Sequence, residues 1–365
     1  MSLQIKADPE YVRPMKNMTQ TYGFSLPREN QKLIAGWLIF VAVLVFAMVI
    51  LGGVTRLTNS GLSMVEWRPV TGWLPPLGAE AWGQEFDKYK AFPEYQKVNK
   101  GMTLDEFKGI FVFEYSHRLL GRVIGLAFVV PFILLMAFRK IPVNHIPRLI
   151  GLLLLGGSQG VMGWMMVKSG LVDHPDVSHY RLTAHLFLAC LIFMALAWTA
   201  LDLVHPQKWN GGSKGPLSRL AGFCLLLIFI QILIGGFVAG LNAGFVYNEW
   251  PLMGAHFVPE DLLNITPWYV NFLENPTTIQ FSHRIMAYIT FAAILGLFIK
   301  SRNLNVSALN RRVITVLFGA VLLQVALGIW TLVAVVPVTL GALHQAGGMI
   351  VLGVAIFSWH QSRFS

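Results

Sequence analysis

The chain has 365 residues, of which 55% are hydrophobic and only 13% are charged. Soluble domains carry roughly twice that share of charged residues, so the composition excludes a pair of soluble domains. The formal net charge of +10 does not indicate a nucleic-acid-binding protein, because most of the excess Lys and Arg lies in short loops between apolar segments. The sequence therefore predicts a polytopic membrane protein.

Eight apolar runs each have about the length that an α-helix needs to cross roughly 30 Å of hydrocarbon. They cover residues 33–54, 110–138, 148–168, 181–203, 219–241, 279–300, 312–335 and 338–359. Because only helices and closed barrels satisfy the backbone inside a bilayer, runs this long predict an all-α protein with eight transmembrane helices. No apolar segment precedes the first run, which argues against a signal peptide and predicts that the first helix directs insertion.

The distribution of basic residues predicts the orientation in the membrane. Lys and Arg are concentrated in the N-terminal tail and around three loops, at 139–148, 208–219 and 300–312. The long loop at 242–278 contains neither residue. By the positive-inside rule, both termini lie in the cytoplasm and the long loops lie outside. We expect a multi-pass protein of a bacterial inner membrane.

The chain also contains an internal repeat. Matching residues recur at matching places in the two halves, namely Gly52-Gly53 with Gly235-Gly236, Glu66-Trp67 with Glu249-Trp250, and Gln159 with Gln324. An even number of helices per repeat predicts two four-helix bundles related by a pseudo-twofold axis along the membrane normal. The predicted domains are a cytoplasmic tail at 1–32, an N-terminal bundle at 33–203, a cytoplasmic linker at 204–218 and a C-terminal bundle at 219–360.

Four of the ten histidines fall inside the apolar runs, all at one depth and two in each repeat. They are His117, His185, His283 and His344. A single buried histidine is most simply a hydrogen-bonded core residue, but a histidine in a bilayer is expensive to place. Two imidazoles facing each other in a four-helix bundle can hold a haem iron at both axial positions. A zinc site needs four converging ligands, which fits these separate pairs less well.

Glu114 distinguishes the two repeats. It lies three residues before His117 and therefore on the same helix face, whereas the equivalent residue before His283 is Gln280. An ionisable carboxylate at membrane depth indicates function, and Gln280 cannot take up a proton. We interpret the N-terminal bundle as an active site and the C-terminal bundle as a cofactor site. The alternative is an interfacial acid paired with an arginine.

Four arginines are candidate partners for haem propionates. Arg118 and Arg284 each follow a predicted ligand histidine, while Arg56 and Arg122 have no basic counterpart in the second repeat. A carboxylate in a site of low dielectric constant needs a charged partner. The alternative is that these side chains extend to the lipid headgroups.

Two features suggest how a haem could be accommodated. Gly121 and Ala287 lie one turn beyond His117 and His283, where a small residue would let a flat macrocycle approach the helix. The long outer loops are rich in Trp and Pro. These loops are expected either to cover the haem pockets or to anchor the protein at the membrane interface.

The whole chain resembles the haem A synthases, through residues 52–58, 114–118, 282–284 and 343–345. That family oxidises a ring methyl of haem O to the formyl group of haem A, for a-type respiratory oxidases. The resemblance implies that His117 and His185 hold the substrate haem and that His283 and His344 hold a permanent haem b that relays electrons. It also implies that Glu114 is the essential carboxylate. The first outer loop lacks a Cys pair, as in alphaproteobacterial and mitochondrial members.

The resemblance further implies the partners. They are the lipid bilayer, haem O handed over by a haem O synthase, the a-type cytochrome oxidase under assembly, an unidentified electron donor or acceptor, and further copies of the chain. The main alternative is a di-haem electron-transfer protein of the cytochrome b kind with quinol as substrate. That alternative gives no reason for Glu114 and Gln280 to differ. A transporter would explain the repeat but not the four matched histidines.

Overall fold

The computed structural model describes residues 27–67, 71–170, 177–205 and 215–363. Most of these residues are helical, and the only pairing of extended backbone among them is an isolated bridge between Met253 and His256. The helices are α1 (Arg28–Leu57), α2 (Gly78–Lys90), α3 (Pro93–Lys97), α4 (Leu104–Ala137), α5 (Ile146–Gly170), α6 (His179–Val204), α7 (Pro216–Gly240), α8 (Asn271–Glu274), α9 (Pro276–Asn303), α10 (Ala308–Val333) and α11 (Val338–Ser362).

All of these helices except α2, α3 and α8 are long and apolar enough to cross a membrane. The predicted all-α fold and the eight predicted spans are therefore confirmed. The spanning helices extend a few residues beyond most of the apolar runs. Most of the predicted N-terminal tail and of the predicted linker lies outside the described residues. Below, the outer ends of the helices are those that carry the two long loops, 58–103 and 241–275.

Polar residues at the helix ends explain where the spans begin and end. Thr103 caps α4 through a reciprocal capping box with Glu106, and Asn275 caps α9 by accepting hydrogen bonds from two backbone N–H groups. α1 and α7 each end just before an asparagine with positive φ, at Asn59 (50°) and Asn242 (53°). Asparagine tolerates this left-handed conformation better than most residues. The two repeats therefore end their first helix in the same way.

The contacts between spanning helices form two closed rings. In the first half α1 packs against α4 and α6, and α5 packs against α4 and α6. In the second half α7 packs against α9 and α11, and α10 packs against α9 and α11. The halves meet through α1 with α11, through α6 with α7, and through α6 with α11. A twofold axis would pair the first two of these contacts, so the packing has the pattern that the predicted pseudosymmetry requires.

The first outer loop builds a small folded layer of its own. α4 begins one to two turns before its apolar run, and this extension packs against α2. Phe86 and Tyr89 of α2 are buried against Phe107 and Phe111 of α4. Burial raises the pKa of the Tyr89 phenol above its ordinary value, although Asn99 donates a hydrogen bond to it at 2.7 Å. This layer holds the loop against the outer end of the first half.

Polar contacts join the two halves near the outer ends and at mid-depth. Arg56 donates to Asn242 Oδ1 at 3.1 Å and to the carbonyl of Gly240 at 3.3 Å. The amide of Gln345 on α11 donates to the carbonyl of Val49 on α1 at 2.8 Å. Such bonds are directional, so they fix the register between the halves more tightly than apolar packing alone.

A charged cluster joins the halves at the inner ends. Asp202 accepts a hydrogen bond from Arg148 at 2.7 Å, and its other oxygen lies 3.1 Å from Nε2 of His360. His360 is completely buried within the helix packing. The cluster connects α5 and α6 of the first half to α11 of the second.

Candidate functional site

The four predicted ligand histidines occupy equivalent places in the structure. Each imidazole lies against a glycine on the preceding membrane-spanning helix. If each glycine carried a Cβ, its distance to the nearest ring atom would be 3.2 Å for Gly52 and His117, 3.4 Å for Gly163 and His185, 3.2 Å for Gly235 and His283, and 2.8 Å for Gly328 and His344. The glycines therefore make room for the rings between the helices.

This role of glycine was not predicted. The role expected for Gly121 was to let a macrocycle approach the helix, which stays a prediction; a Cβ at this position would lie 3.5 Å from Met48 of α1. The repeat alignment contained the signal, because it matched Gly52 with Gly235 across the two halves. Assigning the contacts needed the rotation of each helix about its axis, and an apolar run without a polar face does not fix that rotation.

The histidines form two pairs, one in each half. His117 and His185 are close enough to interact electrostatically, and so are His283 and His344. All four side chains are half-buried. In the described part of the chain, no three His, Cys, Asp or Glu residues converge as a metal cluster would require. A haem iron held by two axial imidazoles needs only such a pair. The donor sets therefore fit two haem groups.

Two glutamines support the histidines of the second half. The amide nitrogen of Gln231 lies 3.2 Å from both ring nitrogens of His283, and that of Gln324 lies 3.2 Å from Nδ1 of His344. Both amides also donate to the carbonyl of the histidine that they contact, at 3.1 and 2.8 Å. Groups that hold a metal ligand in this way fix its orientation. The sequence analysis missed Gln231, although a lone amide in the apolar run, one turn before Gly235, was a signal.

The first half lacks this support. Met48 stands at the repeat position of Gln231. Gln159 stands at the position of Gln324, but Nδ1 of His185 has no hydrogen-bond partner among the described residues. The two pairs of histidines are therefore held to different degrees, rigidly in the second half and less rigidly in the first.

Glu114 is a buried carboxylate with three hydrogen-bond donors. The residue is almost fully buried, with only 2% of its surface exposed. One oxygen accepts hydrogen bonds from the Ser63 hydroxyl at 2.8 Å and the Met64 backbone N–H at 2.6 Å, and the other pairs with Arg118. Hydrogen bonds to a charged group contribute about 1.5–3 kcal/mol each. Glu114 therefore fastens the first outer loop to α4, and the arginine pairing considered as its alternative role is present.

The second half repeats this attachment with one difference in polarity. Gln280 donates to the carbonyl of Tyr247 at 2.8 Å, and Tyr247 stands at the repeat position of Met64. Arg284 donates to the same carbonyl at 3.2 Å. The amide thus donates a hydrogen bond to the loop, whereas Glu114 accepts hydrogen bonds from it. The two halves share a scaffold and differ in whether a carboxylate stands beside the histidine.

Comparison with known proteins agrees with this site. The model of the cytochrome oxidase assembly protein family (COX15-CtaA) matches residues 35–356. The chain belongs to this family. It is 51% identical to a haem A synthase of Parvibaculum lavamentivorans over 339 residues, which cover 92% of this chain and 95% of the relative. It is 50% identical to a haem A synthase of Nitrosospira multiformis over 337 residues, which cover 91% and 94%. The resemblance inferred from the motifs is confirmed.

The predicted propionate partners are engaged to different extents. Arg118 donates to two loop carbonyls, both at 2.7 Å, besides its pairing with a carboxylate. Arg56 bridges to the second half, and Arg122 lies over the ring of Trp73 at 5.8 Å. Arg284 also donates to two loop carbonyls, but its buried Nε has no hydrogen-bond partner among the described residues. Arg284 therefore keeps a donor for a further acceptor.

Trp67 reaches into the first half from the outer loop. Its ring lies 3.9 Å from the Cβ position of Gly163, the glycine that faces His185. The guanidinium of Arg118 lies 5.3 Å from the ring centroid of Trp67, within the range of a cation–π contact. In the second half Trp250 instead donates to the Tyr288 hydroxyl at 3.2 Å. Of the two roles expected for the loop aromatics, the geometry of Trp67 favours covering the pocket.

Proposed function

We propose that this protein is a haem A synthase, an enzyme that oxidises a ring methyl of haem O to the formyl group of haem A. The relatives that carry this name align with more than nine-tenths of the chain. The observation that carries the proposal is the inequality of the two halves. Both present a pair of histidines, but only the first places a carboxylate, Glu114, beside them. A carrier that only moves electrons needs no such difference.

The two histidine pairs have different roles in this proposal. His283 and His344 hold a resident haem b, and their glutamine partners suit a cofactor that stays in place. His117 and His185 hold the substrate haem, and the absence of equivalent partners suits a group that must enter and leave. The resident haem would supply one-electron redox chemistry when bound. Arg284, with its unpartnered Nε, is the arginine best placed to bind a propionate there.

Glu114 is the acid–base residue of the first half. Conversion of a methyl to a formyl group, with water as the source of oxygen, follows R–CH₃ + H₂O → R–CHO + 4 H⁺ + 4 e⁻. A base near the methyl is therefore required to accept protons, and an electron acceptor outside the chain is required to take the electrons. A carboxylate has about four lone-pair sites, and three of those on Glu114 are used by Ser63, Met64 and Arg118. The remaining site accepts the proton. The three donors fix the direction of the carboxylate.

The cellular setting follows the same proposal. The protein lies in a bacterial inner membrane with both termini in the cytoplasm, and it contributes haem A to the assembly of a-type cytochrome oxidase. The N-terminal bundle at 33–203 is the catalytic unit and the C-terminal bundle at 219–360 is the electron relay. Haem O arrives from the enzyme that makes it.

The test is the haem content of the purified protein, measured by pyridine haemochrome spectra and by chromatography of extracted haem. We expect haem b together with haem O or haem A, because one bundle holds a cofactor and the other a substrate or product. Haem b in both bundles, with no haem O or haem A after expression in cells that make haem O, would favour an electron-transfer protein and contradict the proposal.

A further inference from the structure

The ends of α9 and α10 form a basic patch at the inner side of the molecule. Four basic residues flank the short loop between these helices, with Lys300 and Arg302 in the last turn of α9 and Arg311 and Arg312 near the start of α10. Residues 300–316 include no Asp or Glu. In the described part of the chain none of the three arginines has an ion-pair partner. Uncompensated charge of this density attracts anions. The basic patch includes neither the four histidines nor Glu114.

The three arginines line a cavity that is open to one side. Its volume is about 540 Å³, and its lining residues are Arg302, Ala308, Arg311, Arg312, Thr315 and Val316. The lining therefore combines three guanidinium groups with small side chains, of which Ala308 and Val316 are apolar. This combination matches an amphiphile whose headgroup is anionic and whose neighbouring atoms are apolar. We call this cavity the arginine pocket.

One of the arginines is held in place. Arg302 donates to the Thr315 hydroxyl at 3.0 Å, and its guanidinium lies 4.8 Å from the centroid of the Phe298 ring. A guanidinium fixed in this way loses little freedom when it binds, and its planar fork matches the oxygens of a phosphate. Arg311 has a buried Nε with no hydrogen-bond partner among the described residues, so this donor is available to an anion.

The first residue of α10 also lines the arginine pocket. Ala308 begins a helix of 26 residues, whose N-terminal end carries a partial positive charge that favours an anion. Basic pockets between transmembrane helices on the cytoplasmic side recognise the headgroups of anionic lipids. From these observations together, we propose that the arginine pocket binds the phosphate group of an anionic phospholipid of the inner leaflet.

The experiment measures lipid retention by the purified, detergent-solubilised full-length chain. Wild type is titrated with phosphatidylglycerol, with phosphatidylcholine and with inorganic phosphate, and bound lipid is counted by native mass spectrometry beside the shift in melting temperature. Wild type should retain phosphatidylglycerol in preference to phosphatidylcholine. The triple variant R302Q/R311Q/R312Q should lose that preference, with affinity falling about fivefold for each charge removed.

The matched control is R139Q/K140Q, which removes two exposed basic residues from another loop at the inner ends. It should retain phosphatidylglycerol like wild type. If the triple variant does not fold, Arg312→Gln alone serves as the test, because this side chain is exposed. Equal retention by wild type and pocket variants would overturn the proposal. Equal stabilisation by inorganic phosphate alone would overturn the assignment to a lipid. Neither result depends on the haem chemistry.

Discussion

At the scale of single residues, the surroundings of Glu114 decide what this carboxylate can do. Its hydrogen-bond donors fix where the two carboxylate oxygens lie. Glu114 has the hydroxyl of Ser63, a backbone N–H and the guanidinium of Arg118. Ser63 has no counterpart in the second half, where Val246 stands at its repeat position. The first half thus holds a carboxylate at one defined point.

Glu114→Gln should nearly abolish the production of haem A while leaving haem binding in place. The amide keeps the size of the side chain, and Gln280 shows that it fits beside a histidine on this scaffold. Loss of a general acid or base typically lowers the rate by 10²–10⁴-fold. In the wild type, Ser63, the Met64 N–H and Arg118 all donate to the carboxylate. The amide of the variant turns an N–H group toward some of these donors, so we expect a stability cost of about 1–3 kcal/mol. Chromatography of haem extracted from expressing cells should show haem O accumulating.

The matched control is Gln280→Glu, which places a carboxylate in the second half. On the proposed function it should not create a second active site, because the second half would hold a resident haem and not the substrate. Cells expressing this variant should contain haem A at a level close to wild type. Near-normal haem A from Glu114→Gln would remove Glu114 from the mechanism and leave it only the attachment of the loop.

His283→Ala should strip the tightly held haem b, because it removes an axial ligand and leaves the Gln231 amide without its partner. His185→Ala is the matched variant in the other half, and it should keep haem b. The low-spin haem b spectrum of the purified variants distinguishes them. If His283→Ala retains a full complement of low-spin haem b while His185→Ala loses it, the two bundles have been assigned in reverse.

At the scale of helices, the sequence determined the eight spans but not how they face each other. An apolar run of about 20 residues can cross a bilayer on its own only as a helix. The short helices α2 and α3 were not predicted, because their stability comes from packing on α4 and not from an apolar run. The pairing of Glu114 with Arg118 follows from their spacing of four residues. The glycine–histidine contacts depend on helix rotation, which sequence spacing alone does not fix.

Gly328→Ala tests those contacts on one helix. Its Cβ would lie 2.8 Å from His344, closer than real Cβ atoms come to a neighbour, so the ring would have to move. Disturbing the orientation of a ligand typically weakens binding about 10–100-fold. We expect the purified variant to contain much less haem b, with the remainder lost on dilution. Absorption spectra at matched protein concentration measure this loss.

Gly319→Ala is the control on the same helix. Its Cβ meets nothing within 4 Å, and the residue is exposed. Alanine is the better helix former by about 1 kcal/mol, so this variant should be at least as stable as wild type and should keep its haem. Equal haem content in both variants would show that the glycine at 328 is not needed for the ring position.

At the scale of the whole molecule, the structure is a duplicated unit whose copies have diverged at the site. The helix contacts, the asparagines that end α1 and α7 and the loop attachments recur in both halves. Near the histidines the copies differ at two repeat positions, where Glu114 corresponds to Gln280 and Met48 corresponds to Gln231. The halves are joined from the outer ends to the inner ends, through Arg56, Gln345 and the Asp202 cluster. Duplication supplies two matched pairs of histidines, and the copies differ in the residues beside each pair.

Reporter fusions can test the orientation of the molecule across the membrane. Eight spans in the described chain bring the two ends of the helical region to the same side. The loops at that side carry the basic residues, including the arginine pocket, while the loop at 242–278 has none. A reporter fused after Ser365 should therefore be active only if it functions in the cytoplasm, and a reporter placed in the outer loop near Leu263 only if it functions outside. The opposite pattern would place the four histidines near the cytoplasmic face and the arginine pocket at the outer leaflet.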